Sequence, residues 1–372
     1  MQSRPAATLL TILAIGPMMV ALAAASGIEA AQARQGEPLE DPPPSLSRYH
    51  VALLDGSMER VLQDFAIPGL AIGIVENGEP VYIRGFGVRD TRSGAAVNTH
   101  TRFHVGPITR TFTATAVLQL VERGQLDLTD SIADSPVTVA QLLTRNDEAF
   151  NALAGIIESA SQQQFTQYLQ TSVLDAAGLA ESTFGVPLAD TNAAWPYTGK
   201  VFVRRSTSYP WQEDSLPSSG LSASIADVTR WAALQVSRDP VLLTAASYDA
   251  MIELQREHEH DGSGLAFGWQ LERRDNEWLP RQTAIGQGFA AFLTLYPKQQ
   301  RAIVILSNGE TTPGEQIRDV IESVLAGEGY ERPKPSLLPR GDFLWALGGL
   351  LGASLLLIAV SGLYRRRRRT LR

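Results

Sequence analysis

The sequence predicts an α/β domain, a sheet flanked by helices, and three observations carry that prediction. The run LAIGIVENGEPVYIRGFGVRD reads as a hairpin: residues 71–75 are apolar, Asn77-Gly78 is a strong two-residue turn, and residues 81–88 return. From Gly264 three more extended stretches follow, GLAFGWQLERR, TAIGQGFAAFLTLYP and QQRAIVILSNGE. The first alternates and the last is a continuous apolar run, as strands of a sheet covered on its faces do. Between hairpin and stretches lie helical segments, above all residues 108–123, with Phe112, Ala116 and Leu120 at i, i+4 and i+8.

In chain order, residues 1–33 read as a secretory signal. Arg4 precedes an apolar run from Ala6 to about Ala25, and Ala31-Gln32-Ala33 offers a cleavage site; an uncleaved anchor is the alternative. Residues 34–46 are proline-rich and polar, a flexible lead-in. The folded domain spans residues 47–326. It opens with a helix over 47–66, marked by Val51, Leu54, Met58, Leu62 and Phe65 and stopped by Pro68. After the hairpin, a short extended piece over 102–105 leads to Gly106-Pro107, which opens the helix over 108–123, and Gly124 closes it. Residues 127–134 form a loop, and Thr138 caps a short helix. A further helix begins near Ala149, and residues 163–184 hold another helix and then the phrase VLDAAGLAEST. Residues 186–216 are irregular, with Trp195, Tyr197, Tyr209 and Trp211 either packing under a long loop or forming a ligand platform. In residues 216–237, Ser224 or Asp227 caps a helix, and an amphipathic helix over 313–326 ends the domain. Residues 327–342 are a linker. Residues 343–364 are uncharged and long enough to span a bilayer, with Trp345 and Tyr364 near the edges. Residues 365–372 form a basic tail, which places the C-terminus in the cytoplasm and the domain on the periplasmic or extracellular side.

The run TRFHVGPITRTFTATAVLQLVERGQLDL, residues 101–128, resembles the serine β-lactamase and penicillin-binding-protein superfamily, in particular its class C β-lactamase and D,D-peptidase branch. There a strand precedes Gly-Ser-x-x-Lys-x-Phe-Thr and a helix that ends in Gly-x-Leu-x-Leu. Here Gly106, Phe112-Thr113 and GQLDL match. The segment LPSSGLSASIADVTRWAALQVS is similar to the family's Gly-Gly-Leu-x-Ser-Thr-x-x-Asp-Leu-x-x-Phe phrase, and the resemblance covers about residues 45–327. It implies an antiparallel sheet flanked by helices, β-lactamase/transpeptidase-like. It also implies a helical subdomain, reduced here because the loop before the family's Tyr-x-Asn motif is largely missing.

The reactive residues of that pattern differ. The nucleophile position is Pro107 and the lysine position is Arg110. In the family the serine attacks a carbonyl and the lysine one turn later helps remove its proton. Proline has no nucleophilic atom, and it lacks the N–H that the family's oxyanion hole takes from that residue. Arginine stays protonated; it anchors anions but is no base. Asn146, Asp147 and Glu148 stand roughly in place of Tyr-x-Asn, with no tyrosine among them. Acids there are helix-terminal residues or, alternatively, a new base. The third motif, Lys-Thr-Gly or His-x-Gly, is nearest to Ala284-Ile285-Gly286, which keeps only the glycine. No catalytic residue is therefore assigned. Arg110, Asn146, Asp147, Glu148 and Gly286 are the candidates for ligand binding. Arg110 either holds a carboxylate bidentately or pairs internally with Asp147 or Glu148.

Composition narrows the classes. Without cysteine there is neither disulfide nor thiolate chemistry. His258-Glu259-His260 reads as a solvated loop and not a metal site, and no metal or cofactor is expected. Outside the signal and tail the chain carries about 25 basic and 38 acidic residues, roughly −13, which does not suit nucleic acid. The resemblance implies a membrane-tethered pseudoenzyme of the cell envelope that binds a cell-wall peptide, a D-amino-acid ester, another small carboxylate or a partner protein, itself soluble or membrane-bound. The alternatives are a working esterase or amidohydrolase of the family, with Thr109 and Thr111 as nearby hydroxyls, and a scaffold role.

Overall fold

The computed structural model describes residues 46–131, 136–145, 147–185, 192–199, 204–206, 215–257 and 262–328. The predicted signal, the lead-in up to residue 45, the membrane span and basic tail, most of the linker, Asn146, Tyr209, Trp211, His258, Glu259 and His260 lie outside these residues. Among the described residues no helix is long and apolar enough to cross a membrane.

Helix α1 (Arg48–Phe65) starts at Ser47, whose hydroxyl accepts from the His50 N–H. It ends at Ala66 in the left-handed region, before the proline expected to stop it. Strands β1 (Gly69–Glu76) and β2 (Glu79–Asp90) form the predicted hairpin. Asn77 (φ 53°) and Gly78 (φ 79°) are both left-handed, as a type I′ turn requires. After β3 (Ala95–Ala96) and β4 (Arg102–His104), a 3-10 turn at Gly106–Ile108 opens α2 (Thr109–Glu122).

The helical part follows: α3 (Val139–Leu142), α4 (Asp147–Asn151), α5 (Leu153–Ser161), α6 (Phe165–Leu169), a π turn and α7 (Asp175–Ala177). Thr138 caps α3, and Gln141 completes a capping box. The single helix expected from Ala149 is two, α4 and α5, separated at Ala152. Short strands β5 (Thr183–Phe184), β6 (Tyr197–Thr198) and β7 (Arg204–Arg205) lead to α8 (Leu216–Ser219) and β8 (Leu221–Ser224). Of the two caps the sequence offers, Ser224 is the one that caps α9 (Ile225–Ser237), accepting from the Asp227 N–H, and α10 (Ala245–Ile252) follows.

Six strands and a helix complete the domain: β9 (Arg256–Glu257), β10 (Gly264–Ala266), β11 (Trp269–Arg274), β12 (Glu277–Gly286), β13 (Phe289–Tyr296), β14 (Arg301–Ser307) and α11 (Gly314–Leu325). The three stretches read from Gly264 are thus five strands. GLAFGWQLERR folds back at Phe267-Gly268, and TAIGQGFAAFLTLYP folds back at Gln287-Gly288, where Gln287 takes φ 54°. Glutamine is not a usual left-handed residue, so the local text carries a weak turn signal.

The strands join in the order β3-β2-β1-β14-β13-β12-β11-β10-β9, antiparallel throughout. A period of two divides the central strands between two cores. Ala71, Val75, Val304, Leu306, Ala291 and Leu293 face the core shared with α2 and α9. Ile72, Ile74, Ile303, Ile305 and Phe292 face the core shared with α1 and α11.

Charge also ties α11 down. Arg318, almost fully buried, donates to both Glu272 oxygens of β11 at 2.8 and 3.1 Å, and Arg281 of β12 donates to Glu272 and Glu315 at 2.8 and 3.1 Å. Burial alone would raise the Glu272 carboxyl, but Arg318 and Arg281 outweigh it and hold it below the usual range.

Candidate functional site

Helix α2 is apolar on more than the stripe its spacing predicts: residues 111–120 are buried on every side. Its threonines make this tolerable by donating to nearby carbonyls. Thr109 bonds Gly106 O (2.6 Å), Thr111 bonds Ile108 O (2.8 Å), Thr113 bonds Pro217 O (2.8 Å) and Thr115 bonds Thr111 O (2.9 Å). Phe112 stacks on Trp231 of α9 with ring centres 3.8 Å apart, and the Trp231 indole N–H donates to Thr111 Oγ1 at 3.0 Å. The helix is therefore a rigid post, and its first turn presents Pro107 and Arg110.

Two close approaches define the walls around that turn. A Cβ on Gly106 would lie 2.9 Å from the Ala284 Cβ, so the end of β12 runs directly beside the helix start. A Cβ on Gly268 would lie 2.6 Å from the Arg110 carbonyl oxygen, so the β10–β11 turn presses on the same helix. Strand β11 pairs with β12 only as far as Arg281, so residues 282–286 have a strand partner on the β13 side alone.

The Arg110 guanidinium is held within the protein. It donates to Asp147 through Nη2 and to the Arg145 carbonyl through Nη1 at 3.1 Å, and it lies over the Phe150 ring at 4.9 Å. Arg110 is 17% exposed and Asp147 67% exposed, so the pair is open to water on its acidic side. Asp147 and Glu148 fill the first turn of α4 as acids favoured by the helix dipole. It is Asp147, and not Glu148, that takes the arginine. Gly286 ends β12 at φ 146°, which only glycine adopts readily, and the space where its Cβ would point is open. Ile285 beside it is 62% exposed.

Four of the five candidate residues can thus be placed. Arg110 and Asp147 are joined, Glu148 lies exposed beside them, and Gly286 belongs to β12. Asn146 lies outside the described residues. Thr109 and Thr111 are fully buried, and each accepts as well as donates, Thr109 from the Leu221 N–H at 3.1 Å and Thr111 from Trp231.

Sequence reasoning missed three participants. Phe150 supplies the ring under Arg110; its offset of three from Asp147 on one helix was a usable signal. Glu310, just after β14, accepts from the N–H groups of Gly199 (3.0 Å) and Gly288 (3.3 Å), clamping the β12–β13 turn. No local pattern announces that contact. His104, at the end of β4, lies tilted against Phe289, and burial pushes its pKa down to about 4. Of the four aromatics in the irregular region, the two described ones pack. Arg205 covers the Trp195 ring at 3.6 Å, and the buried Tyr197 accepts from the Thr91 N–H at 2.6 Å.

The model of a family described as Beta-lactamase matches residues 54–145 and 146–327, well over half of the chain. The chain belongs to the beta-lactamase family. Protein flp of Staphylococcus aureus (strain NCTC 8325 / PS 47) is 21% identical over 329 residues, a match covering 68% of this chain. The chain spans about 62% of the length of that relative. An octameric penicillin-binding protein homologue from Pyrococcus abyssi superposes with a TM-score of 0.66 at 20% identity, covering 75% of this chain and 78% of the other. D-alanine carboxypeptidase AmpC from Burkholderia cenocepacia superposes with a TM-score of 0.65 at 19% identity, covering 75% and 99%. At such identities the two structures bear out the predicted fold alone, a β-lactamase/transpeptidase-like sheet with its helices.

Proposed function

We propose that this beta-lactamase-family domain is non-catalytic, tethered at the outer face of the cytoplasmic membrane by residues 343–364, where it binds a ligand or a partner protein. The observation that carries the reading is the Arg110–Asp147 pair. Arg110 stands where the family resemblance puts the lysine, one turn after Pro107 at the serine position, and its charge is spent on an internal acid. Acyl transfer needs an attacking atom, a group to remove its proton, and donors for the developing oxyanion. Pro107 offers neither hydroxyl nor N–H, and a guanidinium paired with a carboxylate takes no proton. The two nearby hydroxyls are buried and committed to hydrogen bonds, which weighs against the hydrolase alternative. Partners suited to the envelope are a cell-wall peptide, another small carboxylate, or a membrane protein.

The test is direct. Purified protein is incubated with a labelled penicillin and with a chromogenic cephalosporin, and neither a covalent adduct nor steady turnover is expected. An adduct on any side chain would sink this reading. Pro107→Ser combined with Arg110→Lys restores the reacting pair on paper. Little activity is expected even then, because Ala284-Ile285-Gly286 and the Asp147 region remain altered. Hydrolysis at the rate of an active family member would show that the changes in the other two motifs do not limit activity.

A further inference from the structure

At the end of the sheet away from Pro107 lies a cavity of about 370 Å³, lined by Arg274, Asp275, Glu277, Tyr296, Arg301 and Glu322 over the buried Leu279. Its size is at the small end of the range for ligand pockets, roughly 300–1,000 Å³. Strand β12 runs from this cavity at Glu277 to Gly286 at the cleft, so the two places are roughly 30 Å apart at about 3.3 Å per residue.

The lining carries both signs of charge on different elements. The acids Asp275 and Glu277 come from the β11–β12 turn. Arg301 opens β14 and Arg274 ends β11, and each is held by a carboxylate, that of Arg274 itself lining the cavity. Glu322 of α11 takes Arg274 at 2.8 and 2.7 Å, and Glu76 takes Arg301 at 2.5 and 3.2 Å. A two-pronged pair uses two of a guanidinium's five donors and leaves the others for a further acceptor. Arg274 and Arg301 remain 37% and 29% exposed. The acidic side already holds an ammonium: Lys298 sits on Glu277, with its own side chain 74% exposed. An exposed pair of that kind contributes little, so an incoming ammonium displaces it readily. The Tyr296 hydroxyl donates to Glu322 and helps fix the carboxylate that holds Arg274.

We propose that this cavity binds a small zwitterion, its phosphate or carboxylate on Arg274 and Arg301 and its ammonium on Asp275 and Glu277. A free amino-phosphate and an ethanolamine-type lipid headgroup share that chemistry. The lipid source rests on the proposed membrane tether: the cavity borders the last turn of α11, which precedes residues 343–364 in the chain.

The experiment titrates full-length protein in detergent micelles calorimetrically with O-phosphoethanolamine, with glycerol 3-phosphate and with ethylammonium. Phosphoethanolamine is expected to bind, and each half-ligand to bind at least tenfold more weakly. The double variant Asp275→Asn, Glu277→Gln removes the acidic side without disturbing the turn, since Asn tolerates the left-handed φ of 48° at position 275. In that variant phosphoethanolamine falls to the level of glycerol 3-phosphate, while the unfolding midpoint is retained. Absence of phosphoethanolamine binding, equal binding of the two anions by the parent protein, or undiminished affinity in the variant each overturns the proposal. Nanodiscs separate the sources. Titration lost in phosphatidylethanolamine discs but kept in phosphatidylglycerol discs assigns the cavity to the lipid headgroup, and equal titration in both assigns it to a soluble zwitterion.

Discussion

The two ends of strand β12 hold charge in opposite ways. At the end near Pro107, Arg110 closes on Asp147, the Arg145 carbonyl and Phe150, and the exposed side chains there are Asp147, Glu148 and Ile285. At the far end, arginines are backed by carboxylates on neighbouring elements and keep donors to spare. Both ends are rich in arginine. Each of these arginines commits two of its five donors to internal partners, so what separates the ends is exposure: Arg110 is 17% exposed, against 37% for Arg274 and 29% for Arg301. A second contrast is burial. Arg318, beside the far end, is 9% exposed on its side chain, whereas Asp147 in the cleft pair is 67% exposed.

The largest expected effect tests that second contrast. Arg318→Ala leaves Glu272 with Arg281 alone in a partly buried site, which should cost about 3 kcal/mol. A urea midpoint that moves as little as for a surface substitution would remove the distinction between the two ends. Next comes acid. His104 titrates at about 4 in the fold and near 6.5 in the unfolded chain. Between those values the unfolded form binds more protons, so stability falls as the pH drops from about 6.5 to 4, by on the order of 2 kcal/mol. His104→Gln should flatten the curve in that window. Glu272 acts lower: its depressed carboxyl contributes stability above pH 4.5, which is lost as the pH falls further through its folded value. Unfolding midpoints from pH 7 to 3 for the parent and His104→Gln proteins separate the two. The smallest effect lies at the cleft. Asp147→Asn should cost less than about 1 kcal/mol, because the pair is exposed on one side. The same change frees Arg110, so a small carboxylate such as an acetylated D-alanine dipeptide should bind the variant more tightly than the parent in a fluorescence or calorimetric titration. Unchanged binding would show that Asp147 does not keep ligands off Arg110.

Legibility followed the range of the interaction. The type I′ turn at Asn77-Gly78, the Thr138 and Ser224 caps and the Gly124 helix end were all readable, because a few adjacent residues decide them. The Gln287-Gly288 turn was not: a left-handed glutamine is tolerated there with Glu310 and Tyr197, distant in sequence, bonding to Gly288. At the site, the sequence named Arg110 and offered either Asp147 or Glu148 as its partner. Helix α4 faces only one of them to the guanidinium. The Phe150 ring and the Arg145 carbonyl were absent from that reading because each contributes through position and not through charge.

Residue chemistry and patterns of adjacent residues settle the family resemblance, the Asn77-Gly78 hairpin and the lack of a hydroxyl at Pro107, since a residue's atoms are the same in any fold. The folded molecule settles which acid Arg110 meets and which carboxylates hold the more exposed arginines at the opposite end of β12. Those outcomes depend on which side chains lie within hydrogen-bond reach, and that is a property of packing between elements far apart in the chain.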